Sequence, residues 1–110
     1  MKILLTGVTG YIAQRLLPVL IQNGHIVFCC VRDKNRFNIQ NYKADNIKII
    51  EADFLDSDSL KNIPDDIDIA YYLIHSMSTQ SGDFESMEKV CAENFKNRIQ
   101  NTNVKQVIYL

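Results

Sequence analysis

Apolar positions along this chain change period in a regular order. Lys2 to Thr6, with Ile3, Leu4 and Leu5 in succession, reads as a short buried strand. From Tyr11 to Asn23 the apolar residues Ile12, Leu16, Leu17, Leu20 and Ile21 fall at helical spacing, and Gly24 stands where such a helix stops. His25 to Arg32, "HIVFCCVR", is β-branched and aromatic and predicts a second strand. Further strands are predicted at Ile47 to Ala52, Ile67 to Ile74 and Val104 to Leu110. The polar stretch Asp33 to Asn46 has room for one or two helical turns around Ile39 to Tyr42. Asp56 or Ser57 caps a short helix that runs through Ile63 and is ended by Pro64. Asp83 caps a long one whose stripe of Phe84, Met87, Cys91, Phe95 and Ile99 is read as core.

Pro18 is a local objection to the first helix, since it lacks the N–H that would bond Gln14, at a cost of about 3 kcal/mol in a helix interior. The apolar stripe continues on both sides of it, so the helix stands and a kink is expected at Pro18. Strands separated by helical segments imply right-handed crossovers and a parallel sheet. The predicted fold class is therefore α/β, a doubly wound parallel sheet of about five strands, with no internal repeat.

Composition narrows the function classes. The 110 residues suffice for one domain and leave no room for a second, and 46% apolar with 23% charged residues is ordinary for a globular protein. A net charge of -1 gives no reason to expect nucleic acid or an anionic membrane as partner. The longest apolar run, Ile67 to Ile74, is short and interrupted by Asp68, so no membrane span is expected. The N-terminus lacks a signal-peptide core, and a cytoplasmic location is expected. Cys29 and Cys30 point to opposite faces of a strand and Cys91 lies in a helical pattern, which suits buried reduced thiols better than a disulfide or a metal site.

The chemistry-bearing stretch is "TGVTGYIA", Thr6 to Ala13, directly behind the first strand. Ligands of such sheets bind outside the carboxyl ends of the strands, where strand order reverses. Gly7 can take a positive φ for the turn, Gly10 has no Cβ to hold a diphosphate away, and Ala13 permits close helix–sheet packing. The first-turn N–H groups then face an anion, helped by the helix dipole. This places Gly7, Thr9, Gly10, Tyr11 and Ile12 around a dinucleotide. The plainer reading is a turn that merely needs glycine.

"TGVTGYIAQRLLPVLIQNGHIVFCCVRD" resembles the opening of extended and atypical short-chain dehydrogenases, which begin T-G-x-x-G-x-x-G. "YYLIHSM" and the later "AENF" resemble most the NmrA-like NAD(P)-binding branch, with Ala13 where glycine is usual. The resemblance implies a Rossmann-like fold and a nicotinamide dinucleotide. It puts Val31 at the position of the acid that marks NAD sites and Arg32 just after it, which implies NADP over NAD, because a guanidinium pairs with the 2′-phosphate. Arg36 would add a second charge or stack on the adenine, whereas Asp33 argues for NAD if the register shifts by two. It also implies that Asp53 accepts a bond from the adenine amino group while the Phe54 N–H meets a ring nitrogen, and that Leu73, Ile74 and His75 pass along the nicotinamide ribose. The alternatives are a solvated strand end for Arg32, loop and cap carboxylates for Asp53, Asp56 and Asp58, and a cleft-lining histidine without acid–base duty for His75. His25, directly behind the first helix stop, is read as structural.

The family's catalytic Tyr-x-x-x-Lys does not occur within these residues: Tyr11, Tyr42, Tyr71 and Tyr72 are followed four places on by Arg15, Asn46, His75 and Ser76, and Tyr109 has no room behind it. No catalytic residue is therefore assigned. The chain reads as residues 1–110 of a larger NADP-binding protein, an oxidoreductase or epimerase whose small-molecule substrate binds only in a longer parent. A non-enzymatic redox sensor and a structural module that binds no nucleotide are the other classes. An edge strand carrying "VIYL" predicts self-association.

Overall fold

The computed structural model describes residues 1–8, 10–33, 35, 45–74 and 84–109, the side chains of 84 and 85 excepted. The element order is β1 (Lys2–Leu5), α1 (Tyr11–Gln22), β2 (Ile26–Val31), β3 (Ile47–Glu51), a 3-10 helix (Ser57–Asn62), β4 (Ile69–Tyr72), α2 (Phe84–Gln100) and β5 (Gln106–Tyr109). The strands form one parallel sheet in the order β3-β2-β1-β4-β5. Each predicted strand is present. The fourth and fifth are shorter than their apolar runs, beginning at Ile69 and Gln106 rather than at Ile67 and Val104. The predicted turns around Ile39 to Tyr42 and the cap at Asp83 lie outside the described residues.

The alternation of side chains along a strand sorts the core into two layers. Ile3, Leu5, Val27 and Cys29 pack with Ala13, Leu17 and Leu20 of α1. Leu4, Cys30, Ile50 and Ala70 pack on the opposite face with Cys91, Phe95 and Ile99 of α2 and with Leu60 of the 3-10 helix. The sheet is thus covered on both faces, as expected of a doubly wound domain. Adjacent Cys29 and Cys30 fall into different layers, and all three cysteines are free and buried. Burial pushes the Cys29 and Cys30 thiols up to about 12, so they stay protonated at neutral pH.

Helix α1 runs through Pro18, whose ring lies on the exposed face. It ends as Gly24 predicts: Gly24 adopts φ +80, its N–H donates to the Ile21 carbonyl at 3.0 Å, and His25 N–H donates to Leu20 at 3.3 Å. This pair of bonds is a Schellman stop, which leaves the chain turned toward β2. One expectation is corrected. Ile12 is 44% exposed and does not belong to the core stripe, which Ala13 joins instead. Ala13 sits one position on, facing the sheet, where its small size lets the helix lie close.

Helix α2 is fastened by polar bonds that periodicity does not reveal. Arg98 donates from Nε to the Leu60 carbonyl at 2.9 Å, from Nη2 to the Ile63 carbonyl, and to Asp65 Oδ1 at 2.9 Å. Asn94 donates to the Phe54 carbonyl at 2.7 Å. These carbonyls belong to the 3-10 helix, its C-cap and the loop before it, so α2 and the exit of β3 form one unit. Replacing Arg98 by Met strips half-buried acceptors of a charged donor and is expected to cost about 2 kcal/mol in chemical denaturation. Asp65→Ala, on the exposed end of the same contact, is expected to cost well under about 1 kcal/mol. Equal effects of the two substitutions would show that the ion pair, not the carbonyl capping, is what matters.

Candidate functional site

Strand β1 is the middle of the five, and the chain leaves its two neighbours in opposite senses: α1 covers one face and α2 the other. The strand order therefore reverses beside β1, and in sheets of this topology that is where a crevice opens at the carboxyl ends of the strands. Three residues build its floor. Thr6 is fully buried, its hydroxyl donating to the Tyr71 carbonyl at 2.9 Å and accepting from Leu73 N–H at 3.0 Å, while its own N–H donates to Tyr71 at 3.1 Å. Gly7 adopts φ +64, and a Cβ on it would stand 2.5 Å from the Leu73 carbonyl oxygen. Leu73 is itself buried, so its main chain, rather than its side chain, borders the crevice.

Gly10 differs from Gly7. Its φ of -81 is open to any residue, and an added Cβ would meet only the Gly7 carbonyl oxygen, at 3.2 Å. Internal packing thus constrains it much less than Gly7, and Gly10 is exposed. Gly10 N–H donates to Gly7 at 2.9 Å and closes the turn; Gln14 N–H donates to Gly10 at 3.1 Å and opens the helical ladder. The amides of Tyr11, Ile12 and Ala13 lie between and have no partner among the described residues. Gly10 has no side chain to cap them, and no acid occupies the first turn. At this end the Arg15 guanidinium sits 4.5 Å from the centre of the exposed Tyr11 ring, adding positive charge to a helix terminus that is already positive.

The second half of the site lies across β2 and β3. Val31 pairs with Glu51, so the residues that follow, Arg32 and the Ala52–Asp53 pair, leave neighbouring strand ends together. Arg32 is exposed. Burial raises the Cys91 thiol, Asp53 raises it further and Arg32 lowers it, so both charges act on the same point of α2. Asp33 Oδ1 accepts from Asn35 N–H at 3.0 Å, a local turn bond. Asp53 Oδ1 accepts from Leu55 N–H at 2.9 Å. The Phe54 ring is buried in an aromatic cluster, 5.8 Å from Phe95 and 6.2 Å from Tyr72, so Phe54 offers the site only its main chain. Asp56 takes the plainer of its two readings: it caps the 3-10 helix, accepting from Asp58 N–H at 3.2 Å.

The structure thus gathers Gly7, Gly10, Tyr11, Ile12, Leu73 and Ile74 at the central crevice, and Arg32, Asp53 and Phe54 at adjacent strand ends. Thr9, Arg36 and His75 lie outside the described residues. Sequence reasoning did not single out Thr6, although a polar residue directly behind the apolar Ile3, Leu4 and Leu5 of the first strand was the available signal. Nor did it find Ser59 or Asn94, whose partners are distant or main-chain atoms.

The NmrA-like family profile matches residues 1–107. The chain belongs to the NmrA-like family. Its fold recurs in solved structures, among them a Staphylococcus aureus nucleoside-diphosphate-sugar epimerase, 19% identical with a TM-score of 0.79, covering 99% of this chain and 37% of that one. Yeast methylglyoxal/isovaleraldehyde reductase Gre2, in complex with NADPH, is 14% identical with a TM-score of 0.82, covering 99% and 36%. A short-chain dehydrogenase/reductase from Veillonella parvula is 17% identical with a TM-score of 0.74, covering 98% and 45%. A curated relative, trichosetin synthetase from Gibberella fujikuroi, is 26% identical over a match covering 72% of this chain and 2% of the synthetase. This NmrA-like chain therefore spans less than half the length of each of these proteins, and the fold it shares with the solved structures is Rossmann-like. Among the described residues no helix is long and apolar enough to cross a membrane.

The two glycines make separable demands. Gly7→Ala would carry a strained φ and a Cβ inside the Leu73 carbonyl, and is expected to lose at least about 2 kcal/mol of stability. Gly10→Ala is expected to lose less than about 1 kcal/mol in the same denaturation experiment. A Gly10→Ala variant as unstable as Gly7→Ala would mean that the second glycine serves the turn and not an incoming ligand.

Proposed function

We propose that this NmrA-like chain is the dinucleotide-binding part of an NADP(H)-dependent oxidoreductase or epimerase, working in the cytoplasm. The observation that carries the reading is the row of first-turn amides at Tyr11, Ile12 and Ala13, which have no partner among the described residues, beside an exposed Gly10 and at the reversal of strand order. Such a terminus suits a diphosphate, and Gly10 lets it approach the main chain. Gre2, of the same fold, is a complex with NADPH. Free, buried cysteines are consistent with a reducing compartment.

When bound, the nicotinamide supplies hydride transfer. The residues of this chain bind and orient. The Thr6 hydroxyl and the Gly7 turn hold β1 and β4 at fixed spacing, so the crevice is formed before a ligand arrives. Arg32, exposed at the end of β2, is the candidate for the 2′-phosphate, with Arg36 four residues on as a second charge. Leu73, Ile74 and His75 take the nicotinamide ribose side. The sequence holds no Tyr-x-x-x-Lys, so binding, and not proton transfer, is the work assigned to these residues.

Titration with NADP and NAD tests the reading. NADP is expected to bind at least about 10-fold more tightly, and Arg32→Ala is expected to remove that preference while leaving NAD affinity unchanged. Equal affinities that the substitution does not alter would remove Arg32 from the site.

The same reading extends to assembly. Strand β5 is bonded on one side to β4, and Tyr109 at its end is 62% exposed. We assign to this edge pairing with a second copy of the chain. Sedimentation or gel filtration at rising concentration is expected to show dimer. A monomer throughout would remove the assignment.

A further inference from the structure

Resting on the dinucleotide reading, we propose that Ser59 is the positioning residue that makes the adenine end of the site specific for a 6-amino purine. Ser59 stands on the 3-10 helix, six residues from Asp53, and holds that residue from both sides. Its Oγ accepts from Asp53 N–H at 2.8 Å and lies 2.9 Å from the Asp53 carbonyl and 2.7 Å from the Asp56 carbonyl, either of which can take its proton. Asp56 N–H also donates to the Asp53 carbonyl, at 2.9 Å. With its N–H and C=O both fixed, Asp53 has little freedom in φ or ψ.

Two consequences follow from peptide planarity. The Asp53 carbonyl is turned inward, toward Ser59 and Asp56, so the Phe54 N–H of the same trans peptide points the opposite way. It has no partner among the described residues. The Asp53 carboxylate is oriented as well, because Oδ1 accepts from Leu55 N–H at 2.9 Å. Its other oxygen has no partner among the described residues. From the far side, Asn94 holds the Phe54 carbonyl at 2.7 Å, and the buried Phe54 ring anchors the peptide.

The turn thus presents one acceptor and one donor, a carboxylate oxygen and a main-chain N–H, in fixed relation. Adenine offers the complement, an amino donor next to a ring-nitrogen acceptor. Hypoxanthine presents the reverse, a carbonyl acceptor beside a ring N–H, and meets like with like at both positions. The selection depends on both groups being held, and the group that holds them is the Ser59 hydroxyl.

The experiment compares NADP with its hypoxanthine analogue on the wild-type chain, Ser59→Ala and Ser59→Thr, with thermal melts to establish that each is folded. Wild type is expected to favour NADP by about 10- to 100-fold, the worth of two hydrogen bonds. Ser59→Ala is expected to bring the ratio to within about 3-fold by weakening NADP alone, and Ser59→Thr, which keeps the hydroxyl, to restore most of it. Equal loss for both ligands in Ser59→Ala, or an unchanged ratio, would overturn the inference. If Ser59→Ala does not fold, the wild-type ratio and the Phe54 amide shift on binding decide: no preference, or no shift specific to NADP, overturns it. Binding of both ligands without discrimination defeats the role of Ser59 alone. Binding of neither defeats the dinucleotide reading with it.

Discussion

The structure depends on how closely two peptide segments approach at the centre of the sheet. Gly7 lies against the Leu73–Ile74 peptide at a distance that leaves no space for a Cβ, and the Thr6 hydroxyl bridges the same gap by donating to Tyr71 and accepting from Leu73. A side chain at position 7 would push the exits of β1 and β4 apart, and the buried Thr6 hydroxyl would lose its partners in a place where water cannot replace them. The glycine sets the distance and the threonine holds it. Everything at the mouth of the crevice inherits its geometry from that pair.

From there the chain applies one device twice. Among the described residues the first-turn amides of α1 have no partner, a glycine occupying the cap position, and at the exit of β3 the Phe54 amide has none because the peptide is turned outward by Ser59 and Asp56. In each case main-chain donors face outward while the neighbouring main-chain carbonyls are engaged. Unpartnered donors in a compact domain have an energetic cost unless something outside meets them, which is why they mark a site better than exposed side chains do. The aromatic cluster of Phe54, Tyr72 and Phe95 and the bonds from Asn94 and Arg98 supply the rigidity behind the second of these positions.

Membership in the NmrA-like family and a shared Rossmann-like fold narrow the chemistry without naming a reaction, since solved structures of this shape include an epimerase and a reductase. What discriminates within such a fold is the set of groups at the strand ends. Here Arg32 and Asp53 leave the ends of neighbouring strands.

The sequence by itself determined the elements and their order. The change between continuous apolar runs and helical spacing located the five strands and the two α-helices of the described residues, Gly24 marked the helix stop, and the glycine turn marked where to look. These are local properties: period, φ preference and missing N–H groups act within a few residues of the chain. Position 12 shows the limit of periodicity, because apolar spacing fits Ile12 and Ala13 equally well, and only the approach of helix to sheet put Ala13 inside. The tertiary structure alone decided which polar groups are spoken for. Thr6 meets Tyr71 and Leu73 more than sixty residues away, and Arg98 meets Leu60 through main-chain carbonyls that any residue would offer. A hydrogen bond to a distant backbone atom leaves no signature in the partner's identity, so the free donors of the site could be counted only once the chain had folded.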